Sequence, residues 1–157
     1  TKGPVALAAE YRNMEYREIA TSVESFDVEM YDYYVSLLWM LTGERPVLRG
    51  GGFEPIAPKK NLWKDGWGGL GLAVRYDVFE AEESIYDDLI TKGNSVRKAR
   101  AYSIALNWYL NSSCRLILDA TRTVFDEPLL VDRDSVLGTA IYAEREDVYT
   151  GRFQFSF

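Results

Sequence analysis

The stretch AYSIALNWYLNSSCRLILDATRT, residues 101–123, decides the fold because its side chains alternate between two kinds and the alternation is interrupted once. The large apolar set is Tyr102, Ile104, Leu106, Trp108 and Leu110, followed by Leu116, Leu118 and Ala120. The opposing set is Ala101, Ser103, Ala105, Asn107 and Tyr109, followed by Arg115, Ile117, Asp119 and Thr121. A period of two residues predicts strands with one apolar face. The small polar residues 111–114 predict a tight turn, so this stretch is a β-hairpin.

The same period continues on both sides of this hairpin. It recurs over residues 5–12, 27–41, 70–78 and 149–157, and the apolar face of these segments taken together is rich in aromatic side chains. We therefore predict six strands in an all-β, antiparallel protein without helices.

The connections between these strands alternate in length. Residues 13–26, 80–97 and 126–147 are long, acidic and irregular, which predicts extended loops at one end of the sheet. The short turn at 111–114 belongs to the other end. Residues 42–66 also fall at that end but are long and carry three of the five prolines, so they predict a structured crossing without long strands.

Composition removes several classes of function. The chain of 157 residues contains no histidine and one cysteine, which excludes His-based catalysis, His-ligated zinc and an internal disulfide. Its net charge of -6 argues against a nucleic-acid partner. No apolar run is long enough for a transmembrane helix, whereas β-strands can cross a bilayer with half of their residues polar. We expect no enzyme activity, no cofactor and no metal.

Two interpretations fit an aromatic-rich sheet of this kind. In a soluble sandwich the apolar face packs on a protein core. In a membrane barrel it faces lipid, and polar aromatic side chains collect at the two interfaces. The candidate interface aromatics are Tyr31, Tyr33, Trp39, Trp67, Tyr76, Tyr102, Trp108, Tyr149, Phe155 and Phe157. Their position towards the strand ends, and the alternating aromatic C-terminus, favour the membrane barrel.

Several segments resemble one family of such barrels. They are residues 66–76 (GWGGLGLAVRY), 104–111 (IALNWYLN), 115–118 (RLIL), 34–44 (YVSLLWMLTGE) and the ending 152–157 (RFQFSF). Together they resemble the C-terminal part of the phosphate-selective porins O and P, and the resemblance covers nearly the whole chain. It implies a trimeric, sixteen-stranded barrel of the bacterial outer membrane that passes phosphate or other anions.

Six strands are too few for a closed membrane barrel, for which the bacterial minimum is about eight. We therefore interpret residues 1–157 as the C-terminal segment of a larger porin barrel. One alternative adds strands at 136–143 and within 47–57 and closes a small eight-stranded barrel. Another is a soluble β domain with a structural or partner-binding role.

If the apolar face meets lipid, the opposite face lines the pore. The pore-lining candidates are Arg12, Arg75, Arg115, Arg152, Glu10, Asp32, Asp77 and Asp119, whose charges balance. Anion selectivity requires a positive excess along the path, so phosphate specificity follows from the resemblance alone. For Arg75 with Asp77, and Arg12 with Glu10, a salt bridge in the wall is the alternative role. The expected partners are lipid bilayer, lipopolysaccharide, small anionic solutes and further copies or strands of the barrel.

Overall fold

The computed structural model of the protein describes residues 2–20, 25–49, 52–54, 56–82, 96–133 and 140–155. Its eight strands are β1 (Val5–Ala20), β2 (Ser25–Met40), β3 (Leu48–Arg49), β4 (Gly52–Phe53), β5 (Gly69–Ala81), β6 (Lys98–Asn111), β7 (Cys114–Arg133) and β8 (Ala140–Phe155). The described part of the chain holds no helix that is long and apolar enough to cross a membrane.

The six long strands form one antiparallel sheet in the order β1-β2-β5-β6-β7-β8. Each strand therefore pairs with the next long strand along the chain, which confirms the predicted number of strands and their antiparallel pairing. Strands β3 and β4 form a separate two-stranded ribbon in which Leu48 faces Phe53. The tight turn between Asn111 and Cys114 is also as predicted.

The pairing register places the two alternating sets on opposite faces of the sheet. Val74 is level with Leu37 on one side and Ile104 on the other. This row extends to Leu7 at one end and through Ala120 to Tyr149 at the other. Residues that face each other across antiparallel strands point to the same side. We call this side the apolar face and the opposite side the polar face.

The apolar face is not covered by any other part of the chain that the structure describes. Leu7 is 60% exposed, Ile104 51% and Leu118 50%. In a soluble sandwich such side chains would be buried in the core, because exposing contiguous aliphatic surface to water is unfavourable. The exposure of the apolar face therefore disfavours the soluble sandwich.

The strands are longer than the sequence pattern predicted. β1 continues to Ala20 and β2 begins at Ser25, while β7 runs for 20 residues to Arg133 and β8 begins at Ala140. The long loops predicted at 13–26 and 126–147 are therefore wrong over most of their length. In these extensions both faces of the hairpin carry polar side chains, so apolar and polar residues no longer alternate. The sequence pattern therefore predicts a polar loop where the structure has strands. Residues 83–95 of the third predicted loop lie outside the described residues.

The crossing between β2 and β5 packs on the polar face. Its Ile56 is buried in a cluster with Leu38, Met40 and Tyr109 of that face, and Phe53 packs against the cluster. Gly71 lies beneath, where an added Cβ would come within 2.8 Å of the Met40 sulfur. At Gly68, φ is +83° and a Cβ would lie 2.3 Å from the Tyr109 carbonyl oxygen. These glycines let the crossing and the strands approach closely.

The sheet remains open, with β1 and β8 at its edges. Of the extra strand proposed at 136–143 in the small-barrel alternative, residues 140–143 belong to β8 and residues 136–139 lie outside the described residues. Residues 48–49 and 52–53 form the separate ribbon, outside the sheet. The described strands therefore do not close an eight-stranded barrel. A closed barrel would need further strands at both edges.

Candidate functional site

All eight charged pore-lining candidates lie on the polar face. The pairing shows this directly, since Arg12 is level with Asp32, Glu10 with Tyr34, and Tyr34 with Asp77. On the far side of the sheet, Arg115 is level with Gln154, Ile117 with Arg152, and Asp119 with Thr150. Arg75 sits between Ser36 and Ser103. The six strands thus bring together charges that are distant in the sequence.

Two of the arginines form salt bridges with nearby aspartates, which neutralise their charges. Arg12 bonds Asp32 of the neighbouring strand, with its Nη2 atom 2.8 Å from Oδ1. Arg75 bonds Asp77 of its own strand, with Nε 2.8 Å from Oδ1. The ion pair between Arg75 and Asp77 is present, as the alternative role of Arg75 requires. The partner proposed for Arg12 was Glu10, but Arg12 bonds Asp32, which lies directly opposite it on β2.

Arg115 carries a charge that is not neutralised in this way. Its Nε and Nη2 atoms donate to the neutral Gln154 side chain, 3.1 and 2.8 Å from Oε1. Its guanidinium also lies 5.7 Å from the centre of the Tyr109 ring. Within the described residues, neither Arg115 nor Arg152 has a carboxylate partner. Positive charge therefore accumulates on the polar face near the short-turn end.

A small cavity of about 110 Å³ opens beside Arg115. Its walls include Phe53 and Ile56 of the crossing, Tyr109, and Gln154. It is formed because the crossing lies over the ends of the strands without filling the space in front of the turn. Among the described residues, no group of His, Cys, Asp or Glu is arranged to hold a metal ion.

Three residues of this face were missed by the sequence analysis. The Tyr34 ring lies 3.9 Å below the Arg75 guanidinium. Tyr109 and Gln154 flank Arg115. The alternation of the strands could have identified them. Tyr34, Tyr109 and Gln154 each lie an even number of residues from a charged candidate on the same strand, or pair with such a residue on the neighbouring strand. The sequence analysis named only charged residues as pore-lining candidates.

The crossing is anchored by a buried carboxylate, Glu44, which is 4% exposed. The Thr42 hydroxyl donates to its Oε2 atom, and the Lys59 backbone N–H donates to Oε1 at 3.1 Å. The Thr42 oxygen in turn accepts the backbone N–H of Leu70 at 2.9 Å. Burial raises the pKa of Glu44, but these hydrogen bonds favour the ionised form and the net pKa is lowered from its ordinary 4.5.

This anchor predicts a pH dependence for the docking of the crossing. Because the folded pKa of Glu44 is lowered, its contribution is complete above pH 4.5 and is lost as the pH falls through the lowered value. Hydrogen exchange of the crossing should therefore accelerate below pH 4.5 beyond the intrinsic rate change. Glu44→Gln should remove this pH dependence and cost about 1–3 kcal/mol of local stability. A wild-type crossing whose corrected exchange is flat down to pH 3 would contradict the anchor.

The apolar face carries aromatic side chains towards both ends of the strands. Trp39 and Trp108 lie near the short-turn end, where Phe153 and Phe155 form an edge-to-face pair with ring centres 4.6 Å apart. The tyrosine belt lies towards the other end and comprises Tyr11, Tyr31, Tyr33, Tyr76 and Tyr102, with neighbouring rings 5.1–6.4 Å apart. Tyr11 and Phe153 were not among the predicted interface residues.

The remaining interface candidates are placed less uniformly. Trp67 lies outside the strands and is 81% exposed, and its carbonyl oxygen accepts a hydrogen bond from the Trp108 ring at 2.7 Å. Tyr149 lies on the apolar face level with Ala120 and is 77% exposed. Phe157 lies outside the described residues.

The distance between the aromatic ends matches a bilayer. Trp39 and Tyr31 are eight residues apart on β2, which corresponds to about 27 Å of extended strand. A strand tilted by about 40° then covers most of an apolar band about 25 Å tall. An exposed aliphatic face between aromatic ends, backed by a charged face, is the wall architecture of transmembrane β-barrels.

Comparison with known proteins assigns the family. The profile of the family described as phosphate-selective porin O and P matches residues 1–157. The chain belongs to this family of porins. It is similar to Porin O of Pseudomonas aeruginosa, with 26% identity over 117 residues, which cover 73% of this chain and 25% of that protein. The match thus spans about a quarter of the length of this relative.

Proposed function

We propose that this chain forms a six-stranded sector of an outer-membrane porin barrel, through which small hydrophilic solutes diffuse passively and without chemistry. The observation that carries the proposal is the open amphipathic sheet, with its aliphatic face exposed between aromatic ends. The apolar face would meet acyl chains and the polar face would line the pore. Residues 1–157 would be the C-terminal segment of the barrel, as the resemblance implies.

The edges of the sheet support a larger barrel. An unpaired strand edge in hydrocarbon would leave backbone N–H and C=O groups without partners, at several kcal/mol for each group. β1 and β8 therefore require neighbours. We propose further strands of one sixteen-stranded barrel, assembled as a homotrimer in the bacterial outer membrane.

Extraction behaviour tests this assignment. The complete native protein should leave the membrane fraction only in detergent, and its gel mobility should change on heating because a folded barrel resists dodecyl sulfate. A complete protein that is monodisperse in plain buffer would refute the barrel.

We also propose that the pore favours anions, phosphate among them. The support is the surplus of positive charge near the short-turn end, where Arg115 and Arg152 have no carboxylate partner within the described residues. A fixed charge in a narrow, partly dehydrated path sets which ions enter. The paired residues Arg12 and Asp32, and Arg75 and Asp77, contribute little net field.

Replacement of the two unpaired arginines tests the selectivity. Arg115→Gln combined with Arg152→Gln should move the reversal potential in a potassium chloride gradient towards potassium, while the conductance persists. Arg115→Lys should preserve the wild-type value, because it keeps the charge and changes only the geometry. The measurement is made on single pores in planar bilayers. An unchanged reversal potential in the double variant would place both arginines outside the path that determines selectivity.

A further inference from the structure

Three arginines lie close together on the apolar face, in the same rows of the sheet as the tyrosine belt. Arg100 and Arg145 are in one row of the sheet, on either side of Val124. Arg122 lies in the adjacent row, level with Tyr102 of the belt. All three side chains are exposed. We call Arg100, Arg122 and Arg145 the arginine cluster, and it points away from the proposed pore.

The arginine cluster has more positive than negative charge. Arg122 bonds Asp147, with Nε 2.6 Å from Oδ1 and Nη2 3.1 Å from Oδ2. Within the described residues, neither Arg100 nor Arg145 forms an ion pair. Nearby on the same face, Lys98 is paired with Glu80. Two guanidinium charges are therefore left over at the boundary between the aliphatic band and the water-exposed hairpins.

The position and chemistry of the cluster define the ligand. The guanidinium group presents a planar fork of donors that matches phosphate, and it does so best in a partly dehydrated site. Arg100 and Arg145 are separated by one intervening strand, about 10 Å of sheet. The aliphatic rows next to the cluster can hold acyl chains. A lipid with two phosphates on one headgroup satisfies all three features, whereas a phospholipid diester supplies one phosphate.

We propose that the arginine cluster binds the phosphorylated headgroup of lipid A, the membrane anchor of lipopolysaccharide. This inference rests on the outer-membrane orientation proposed above, in which the long hairpins face the lipopolysaccharide leaflet. Arg100 and Arg145 each hold one phosphate, and Arg122 is oriented by Asp147 at the edge of the site. The site would fix annular lipid on the outside of the barrel, and it takes no part in solute passage.

The test uses the complete native protein in detergent, titrated with bisphosphorylated lipid A and followed by native mass spectrometry. Arg100→Gln combined with Arg145→Gln should weaken lipid A binding about 30-fold, from the loss of two phosphate-facing charges at a membrane surface. The wild type should bind monophosphoryl lipid A and phosphatidylglycerol more weakly than bisphosphorylated lipid A. Equal lipid A affinity in variant and wild type would overturn the proposal. Equal wild-type affinity for phosphatidylglycerol would refute lipid A as the ligand.

A matched control removes two arginines at the other end of the sheet. Arg45→Gln combined with Arg49→Gln lies in the crossing, changes the net charge equally and should leave lipid A binding unchanged. If both double variants weaken binding alike, the effect is one of net charge and the site is refuted. Heat-modifiable mobility and reversal potential should be unchanged in Arg100→Gln with Arg145→Gln. A change in those readouts would concern the barrel, so the two proposals fail separately.

Discussion

Ile104→Arg is expected to destabilise the inserted barrel strongly, whereas Ala105→Arg, one residue further along the same strand, is expected to be tolerated. Ile104 lies on the apolar face between Trp108 and Tyr102 and is 51% exposed. An arginine on the lipid side near the bilayer midplane costs about 2–4 kcal/mol. That is a large part of the stability of an ordinary domain.

Ala105→Arg is a matched control because neighbouring residues of a strand point to opposite faces of the sheet. Ala105 lies on the polar face, level with Ala73 and Asp119. An arginine at this position has space and a carboxylate close by, so we expect its cost to be under about 1 kcal/mol. Urea titration of the complete protein in lipid vesicles measures both values. If the two variants lose equal stability, or Ala105→Arg loses more, the assignment of the two faces is wrong. The assignment of the pore-lining residues would then be wrong as well.

The two faces could be predicted from the sequence because large apolar and polar side chains alternate regularly along the middle of the long strands. From Tyr102 to Trp108 every even residue is large and apolar, and the structure places all of them on one side. Along β1, the same rule fails beyond the tyrosine belt, where Glu15 and Arg17 bond each other in a hairpin that has water on both faces. Strand length therefore could not be predicted from alternation.

The partners of the charged side chains could not be predicted either, since they depend on register. Arg12 and Asp32 are 20 residues apart, and Arg115 and Gln154 are 39 apart. A shift of one residue between two strands would exchange the faces and every pair with them. The sequence defines which residues share a face, and the pairing of the strands decides which charges cancel. The eight pore-lining candidates have equal numbers of positive and negative charges. This count did not show that positive charge is left unpaired at Arg115, because it took no account of which residues pair.

The docking of the crossing on the polar face is also non-local. Its prolines predicted a structured segment, but no pattern in residues 42–66 indicates that Ile56 packs against Leu38 and Met40. In the proposed pore, which the polar face would line, the crossing would occupy part of the lumen at the short-turn end. It would then be a narrowing element of that pore.

Ile56→Ala is therefore expected to widen the pore. Ile56 is 5% exposed and sits at the centre of the cluster that holds the crossing. Loss of a buried isoleucine side chain costs about 2–5 kcal/mol, whereas Ile56→Val costs about 0.5–1.5 kcal/mol. The Ile56 packing and the Glu44 hydrogen bonds hold the crossing together, so loss of the packing should let part of the crossing leave the wall for part of the time. Single-channel recordings should show a higher conductance with more current noise, graded from valine to alanine.

Val47→Ala supplies the matched control for this experiment. Val47 lies in the same crossing but is 47% exposed, so its truncation removes little packing and should leave the conductance at the wild-type value. If Ile56→Ala instead unfolds the barrel, gel mobility reports it and the valine variant still tests the graded increase. Conductance and noise that stay at the wild-type level in both Ile56 variants would show that the crossing does not narrow the path. The constriction would then lie elsewhere in the complete pore, because the residues that the structure describes offer no second segment folded onto the polar face of the sheet.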